Sequence, residues 1–469
     1  MPEARFSHFL SAQKEWRSYG SLTILGIKLR KPNKRRANYK YIENMNYIWL
    51  TQGLLVILWI AFFFIEDKIH KINKNIDDIK VTAGFAIILF ILAIFSPAKD
   101  SDHSLAHSLW EATQVMISLS SLLLIVWLGT KIEAIDLLKK LRTGSKKKDH
   151  WKYSLITFGS SGILDNVAAT TVAIDTLDTH GHTHHDDKEK VDATLFNAPS
   201  VANSGGAASP IGDSTTVYLW GQHKIDTFSI LLFYIPSMVN WIVATWLTSW
   251  SVNNKHYPKP SHAITSKEKK GFSILIAMLL IVPVLKLTLH LEVYQAAVIA
   301  LIGMFLIVRK VPNGAHLYEE VKPALMMALI VFMMSQLSYS GFLQYIGLSM
   351  ALWHVLIIVL VLGALSVLVD NMAVVAMAVH AMGKVFPAGH FFWYALAYSA
   401  GTSGSIHLPG SSAGVTLKKK IEERFKNITV SYFLAVGWIN LIAWLAGLAT
   451  ICLMYFYLQP MMSGFGIKF

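Results

Sequence analysis

Apolar runs long enough to cross a bilayer, about 17–25 residues each, follow one another along most of the chain. Ten of them read as spans: 46–65, 81–97, 108–130, 191–221, 227–250, 271–288, 293–308, 323–340, 391–417 and 428–457. Two further apolar stretches, 152–177 and 352–380, each carry an Asp-Asn pair at the middle, Asp165-Asn166 and Asp370-Asn371. A carboxylate at mid-bilayer depth is costly unless it lines a polar cavity, and broken backbone is tolerated there only where protein or a cavity covers it. These two stretches therefore read as re-entrant helical hairpins that enter and leave on the same side. The order of elements also repeats. Segments 108–250 and 323–457 each run span, short amphipathic stretch, Asp-Asn hairpin, Gly/Ser-rich interrupted span, plain span. Five crossings separate the starts of the two copies, so the second is upside down. The predicted fold is an all-α polytopic membrane protein of two inverted-topology repeats, each with a re-entrant hairpin and a broken transmembrane helix. Residues 1–45 form a basic tail, 46–107 the first spans, 251–322 the linking spans and 458–469 a C-terminal tail.

Composition agrees with this. The 469 residues are 54% hydrophobic and only 15% charged, against about 25% charged in a soluble domain, and the mean hydropathy is +0.45. The single cysteine, Cys452, excludes an intramolecular disulfide framework. A net charge of +13 fits basic cytoplasmic loops better than nucleic-acid binding. With ten crossings and two non-crossing hairpins, and the loop 66–80 inside, the cytoplasmic loops hold 27 Lys and Arg and the outside segments after residue 45 hold five. Making either hairpin a true span reverses every later loop. The segment that disobeys is 1–44, whose ten basic residues fall outside and which has no apolar signal-peptide core. Either the tail stays inside and the first span is wrongly drawn, or the native start is Met45; the agreement of every later loop favours the second.

The chemistry concentrates in the interrupted spans. The first reads Asn203-Ser-Gly-Gly-Ala-Ala-Ser-Pro-Ile-Gly-Asp-Ser-Thr-Thr216 and the second Thr402-Ser-Gly-Ser-Ile-His-Leu-Pro-Gly-Ser-Ser-Ala-Gly414. Aligning Gly206 with Gly404 sets Gly212 on Gly410 and Asp213 on Ser411. Gly and Pro break the helical ladder and free carbonyls, while hydroxyls, amides and a carboxylate add oxygen ligands suited to a small hard cation. Close packing through small residues accounts for the Gly and Ser, but not for Asn203, Asp213 and the pair Thr215-Thr216. Asp165, Asn166, Asp370 and Asn371 fall at the hairpin tips, where they also make good helix caps. A desolvated carboxylate is stable as the neutral acid or beside a cation, which is the exchange an antiporter performs.

Other polar residues carry weaker signals. Glu111, just inside the span 108–130, is a candidate proton relay or an interfacial acid. His354, His380 and His407 read as packing or boundary histidines. The insertion Thr179-His-Gly-His-Thr-His-His-Asp-Asp187 carries His180, His182, His184 and His185, which could hold Zn²⁺ or Ni²⁺, although a solvated loop explains them too. No Walker lysine motif, Cys-x-x-Cys or nucleophile elbow appears, so neither ATP drive nor hydrolysis has support, and no cofactor is expected.

At Gly162-Ile-Leu-Asp-Asn-Val167, Asn203 through Thr216, Leu365-Ser-Val-Leu-Val-Asp-Asn371, Ala400-Gly-Thr-Ser-Gly-Ser405 and Gly410-Ser-Ser-Ala-Gly414 the chain resembles the NhaD-type sodium/proton antiporters of the ion transporter superfamily. Glu66-Asp-Lys-Ile-His-Lys-Ile-Asn-Lys74 also looks like that family's start, and the resemblance covers residues 46–457. It implies bundles of scaffold and transport helices, a homodimer in the bacterial inner membrane, and exchange of sodium or lithium for protons. By motif position it implies roles for Asp165, Asn166, Asn203, Asp213, Thr215, Thr216, Ser366, Asp370, Asn371, Ser405 and Ser411. Ser403, Ala373, His407 and Pro409, like the histidine insertion, depart from the family pattern. Rival readings are an arsenite exporter or a carrier of a small carboxylate anion in the same superfamily, and a metal-binding membrane protein acting through the histidine loop. An anion site beside three carboxylates would repel its substrate.

Overall fold

The computed structural model describes residues 23–24, 27–28, 78–94, 105–140, 145–178, 193–252, 263–310, 313–339, 342–421 and 428–469. The expected first span 46–65 and the histidine insertion 179–187 lie outside them. Apart from the antiparallel pair β1 (Thr23–Ile24) and β2 (Ile27–Lys28), every named element is a helix. By its contacts the chain divides into two units, residues 1–107 with 336–343, and residues 108–335 with 344–469.

In the first unit, α1 (Asp78–Ile94) turns Leu89 and Ala93 inward while Ile87, Ile88 and Ile91 are exposed. The second unit holds most of the helices. These are α2 (Leu105–Lys131), α3 (Asp136–Lys139), α4 (Lys146–Leu164), α5 (Asn166–Asp178), α6 (Ala193–Gly206), α7 (Ser214–Gly221), α8 (Tyr234–Ser249), α9 (Ser266–Leu289) and α10 (Val293–Val308). There follow α11 (Gly314–Tyr339), α12 (Phe342–Met350), α13 (Val355–Ser366), α14 (Asn371–Met382), α15 (Phe391–Ser403), α16 (Ser412–Ile421), α17 (Ile428–Tyr432), α18 (Trp438–Tyr457) and α19 (Gln459–Gly464). Five helices among the described residues are long and apolar enough to cross a membrane, and shorter apolar helices include Val293–Val308 and Val355–Ser366. Large side chains such as Leu306, Leu434 and Phe456 are exposed on them, an outer face that suits lipid rather than water. The protein is a multi-pass, all-α membrane protein.

Each described span of the sequence reading coincides with a helix, and both Asp-Asn pairs fall at helix breaks: α4 stops at Leu164 before α5, and α13 at Ser366 before α14. Two borders differ. Helix α4 begins at Lys146, six residues before the expected 152, and α11 begins at Gly314 rather than 323. In both places the extra turns are polar (Lys146, Lys147 and Lys148; Glu319, Glu320 and Lys322), so hydropathy alone starts the element late. The expected span 428–457 is also uneven, with a π-helical turn over Phe433–Gly437 between α17 and α18. That turn, a common adjustment where a helix meets a functional segment, lets Tyr432 and Asn440 both donate to the Ser405 carbonyl, at 2.6 and 2.8 Å.

The two halves of each broken helix sit at the centre. All fourteen residues of α6 and all thirteen of α15 are buried, so these helices have no lipid-facing stripe and must pack on every side. One apolar cluster joins Tyr153, Leu195 and Phe196 from the first half of the chain to Leu408, Leu417 and Tyr432 from the second. Helices α8 and α18 are pinned together by Tyr398, whose hydroxyl accepts from Asn240 Nδ2 at 3.2 Å and donates to the Trp444 carbonyl at 3.1 Å.

Glycine makes the crossing of hairpin and broken helix possible. A Cβ on Gly205 would stand 2.0 Å from the Phe158 carbonyl oxygen of α4, whereas one on Gly159, the next residue of α4 itself, would meet nothing within 4 Å. Gly205→Ala should therefore lower stability by at least about 1–3 kcal/mol, the usual cost of overpacking. Gly159→Ala should be neutral or raise stability by up to about 1 kcal/mol through helix propensity. Thermal unfolding of the two purified variants, followed by loss of the monodisperse peak, checks the contrast.

Candidate functional site

Both broken helices open for the same reason. In each, a glycine ends the first half and a second glycine six residues on crosses back over it. A Cβ on Gly206 would meet the Gly212 carbonyl oxygen at 2.4 Å, and one on Gly404 would meet that of Gly410 at 2.4 Å. The hairpins seat against these breaks in a matched way. Ser161 Oγ donates to the Ala202 carbonyl at 2.6 Å, and Ser366 Oγ donates to the Ala400 carbonyl at 2.9 Å.

The breaks and hairpin tips bring their polar side chains to one point, Asp213, which is fully buried. Its Oδ1 accepts from Asn166 Nδ2 at 2.9 Å and from Ser214 Oγ at 3.3 Å. Its Oδ2 accepts from Thr215 Oγ1 at 2.5 Å and lies 3.4 Å from Asn371 Nδ2. Thr216 Oγ1 donates to the Asp213 carbonyl at 2.8 Å. Asn166 Nδ2 is shared with Asn203 Oδ1 at 3.0 Å, and Asn203 Nδ2 reaches Ser411 Oγ at 3.0 Å. Asn166 and Asn371 come from the two hairpins, Asn203 and Asp213 from one broken helix, and Ser411 from the other. Asp213 and Ser411 each directly precede a helix, α7 and α16, and so face the positive end of that helix. All the side chains gathered on Asp213 are neutral donors. An enclosed carboxylate held only by neutral groups is completed by a proton or by a small cation, and the surrounding amide and hydroxyl oxygens can coordinate the latter.

Asp165 and Asp370 stand at the rim of this cluster. Asp165 Oδ1 accepts from the Val167 N–H at 2.8 Å, and Asp370 Oδ1 from the Met372 N–H at 2.9 Å, so each caps the second helix of its hairpin. Both carboxylates are only half-buried. The two caps differ in backbone: Asp370 has an ordinary φ of −48° and ψ of 136°, whereas Asp165 has φ 74° and ψ 147°. The capping that the sequence allowed for both residues is present. Ser405 is not drawn in: its Oγ donates back to the Thr402 carbonyl at 2.6 Å. The histidine insertion cannot be placed, since it lies outside the described residues, within which no group of three metal-binding side chains occurs.

A second buried cluster adjoins the first. Glu111, 3% exposed, accepts from the Tyr218 hydroxyl at 2.7 Å, and His380 Nε2 lies 3.5 Å from its other oxygen. Tyr218 is five residues beyond Asp213 on α7, about 7.5 Å at helical rise. His380 is thus a buried partner of Glu111 rather than the boundary histidine that its place near a hairpin end suggested. Tyr218 had no signal in the sequence. A cleft lined by Gln114, Ser118, Tyr218, Gln222 and Glu292 runs down α7 to Ser214, next to Asp213.

The family described as "Citrate transporter" (CitMHS) matches residues 134–401, more than half the chain. The chain belongs to the citrate transporter family. It is also similar to proteins named as sodium/proton antiporters. It is 27% identical over 336 residues to Sodium/proton antiporter 2 of Arabidopsis thaliana, covering 66% of this chain and 79% of the relative. It is 27% identical over 340 residues to Sodium/proton antiporter 1 of the same plant, covering 66% of this chain and 57% of that longer relative. It is 26% identical over 422 residues to Na(+)/H(+) antiporter NhaD of Alkalimonas amylolytica, covering 78% and 85%. The matched region of this citrate transporter family member contains both hairpins and the first broken helix.

The Asn203–Ser411 hydrogen bond is the direct polar link between the two broken helices. A double-mutant cycle of Asn203→Ala and Ser411→Ala in denaturant unfolding should give a coupling of about 1 kcal/mol. Zero coupling would mean that the two breaks do not touch.

Proposed function

We propose that this protein is a secondary transporter, with no enzymatic reaction and no cofactor, that exchanges sodium or lithium for protons across the bacterial inner membrane as a homodimer. The observation that carries this reading is Asp213, a fully buried carboxylate held from both hairpins and adjoining the second broken helix by neutral donors alone. Asp165 and Asp370 at the rim add titratable charge to the same place. The family's printed description names citrate, but a citrate site calls for cationic side chains, and no Lys or Arg hydrogen-bonds the Asp213 cluster among the described residues. Similarity to proteins named as sodium/proton antiporters supports the cation. The two copies of hairpin, broken helix and plain helix are proposed to be inverted in the membrane, which the 27-to-5 split of basic residues supports. Glu111, with Tyr218 and His380, is proposed to carry the proton beside the cation site.

Sodium and protons then compete for one set of carboxylates, so apparent sodium affinity rises with pH until those groups are ionised. The test is sodium-driven proton flux in proteoliposomes at several pH values. Asp213→Asn keeps shape and loses the titratable charge, so exchange should be abolished. Asp165→Asn and Asp370→Asn keep a competent cap and should fold, yet exchange should collapse. Asn166→Ala, Asn203→Ala, Asn371→Ala, Thr215→Val and Thr216→Val should raise the sodium concentration for half-maximal flux more than they lower the maximum. Wild-type exchange by both Asp213→Asn and Asp370→Asn would refute the mechanism and bring the carboxylate-anion or arsenite reading forward.

Glu111→Gln retains the Tyr218 hydrogen bond but removes the charge. Its expected effect is a changed pH profile of exchange at saturating sodium, with half-maximal sodium close to wild type. An unaltered profile would leave Glu111 a purely structural partner of Tyr218.

A further inference from the structure

On the side of hairpin α4/α5 the Asp213 cluster adjoins buried polar groups that have no hydrogen-bond partner in the described structure. Helices α5 and α6 lie antiparallel, joined at the site by Asn166 and Asn203. Moving away from the site, α5 presents Asn166, Thr170, Ala173 and Leu177 at helical spacing, and α6 presents Asn203, Ser200, Asn197 and Thr194. Asn166 Oδ1, Thr170 Oγ1, Ser200 Oγ and both side-chain polar atoms of Asn197 are buried and accept or donate no hydrogen bond in the described structure. The four residues are each at most 1% exposed. At the far end of the seam, Ala173, Leu177, Thr194 and Asn197 line a cavity together with His150 and Thr157 of α4. Pro199 within α6 also withholds the N–H that would bond the Leu195 carbonyl, adding one more acceptor beside the seam.

Buried polar groups are almost always paired, with water where protein does not serve. Unpaired groups spaced along one helix pair, with Asn197 at a cavity and Asn166 at the Asp213 cluster, are what a wetted route requires and are out of place in a packing contact. The second half of the chain supplies the contrast. Under the alignment of Asp165 with Asp370, Thr170 falls on Val375. Under that of Gly206 with Gly404, Asn197 falls on Ala395, Pro199 on Ala397, and Ser200 on Tyr398, whose hydroxyl is committed to Trp444 and Asn240. The matching seam between α14 and α15 is apolar at these positions, and Val375 and Ala395 are fully buried.

We propose that the α5/α6 seam is the water-filled route by which a hydrated monovalent cation passes between Asp213 and the end of the protein that carries Lys146, Lys147 and Lys148. The α14/α15 seam has no such route. The cleft along α7 serves the opposite end of the same broken helix. This assignment rests on the cation reading of the Asp213 site for its cargo, but not for its wetness.

The test uses the full-length protein in a Cys452→Ser background, carrying Asn197→Cys, Ser200→Cys or Ala395→Cys. Vesicles exposing the Lys146–Lys148 end are treated with a small cationic methanethiosulfonate reagent, and modification is read by intact mass. Asn197→Cys and Ser200→Cys should be modified at least about tenfold faster than Ala395→Cys, the ratio that ~1.4 kcal/mol of access barrier gives. Equal rates for all three would overturn the route. Asn197→Leu, which fills the seam with an apolar side chain, should fold with an unchanged melting temperature or a higher one, and should lower maximal sodium-driven flux about tenfold. Wild-type flux in a folded Asn197→Leu would likewise overturn it. Fast modification of Asn197→Cys in a protein that shows no sodium-driven proton flux would uphold the route while refuting the antiporter reading.

Discussion

A fully buried carboxylate with only neutral donors around it governs this structure. Asp213 can be stable there in two states, protonated or accompanied by a cation, because an uncompensated buried charge is far too costly. The neighbouring architecture serves to reach and hold that carboxylate. Breaking the helices frees backbone around it, and glycine lets the broken ends cross. The hairpins bring amides to it from two sides.

Several contacts around Asp213 come in matched pairs, and the chemistry they frame does not. Paired serines at 161 and 366 seat the hairpins, paired glycines cross the breaks, and paired aspartates cap the second hairpin helices. Yet the first half supplies the central carboxylate where the second supplies Ser411. The first half also carries the polar file of Thr170, Asn197 and Ser200 where the second carries Val375, Ala395 and the committed Tyr398. The matched serines, glycines and aspartates frame the buried cluster from both hairpins and both broken helices. Side-chain asymmetry concentrates the charge and the wet approach on the first half.

Much of this was legible in the sequence because it obeys membrane-scale rules. Lengths of apolar runs located the described helices, and Asp-Asn pairs and Gly-Pro clusters located the breaks, since each is intolerable in an ordinary span. The borders at 146 and 314 were not legible, because polar turns continue a helix beyond its apolar stretch. Ser161 could have been found, as it stands four residues before Asp165 just as Ser366 stands four before Asp370. Tyr218 and the partnership of His380 with Glu111 depend on which helices touch, with nearly 270 residues between Glu111 and His380, and no spacing along the chain records that. Asn197 and Ser200 were invisible for the opposite reason. A polar residue in a small-residue-rich helix looks ordinary until the structure shows that nothing bonds to its side chain.

The backbone of Asp165 has a further consequence. Its φ of 74° with ψ of 147° is territory that glycine occupies freely and other residues hold only under strain, of the order of 1–3 kcal/mol. Asp370, its counterpart, has no such burden. Laboratory selection for heat resistance, blind to transport, would thus tend to enrich glycine at 165 and leave 370 alone. The chain keeps the less comfortable residue, so position 165 carries a backbone cost that its counterpart at 370 does not.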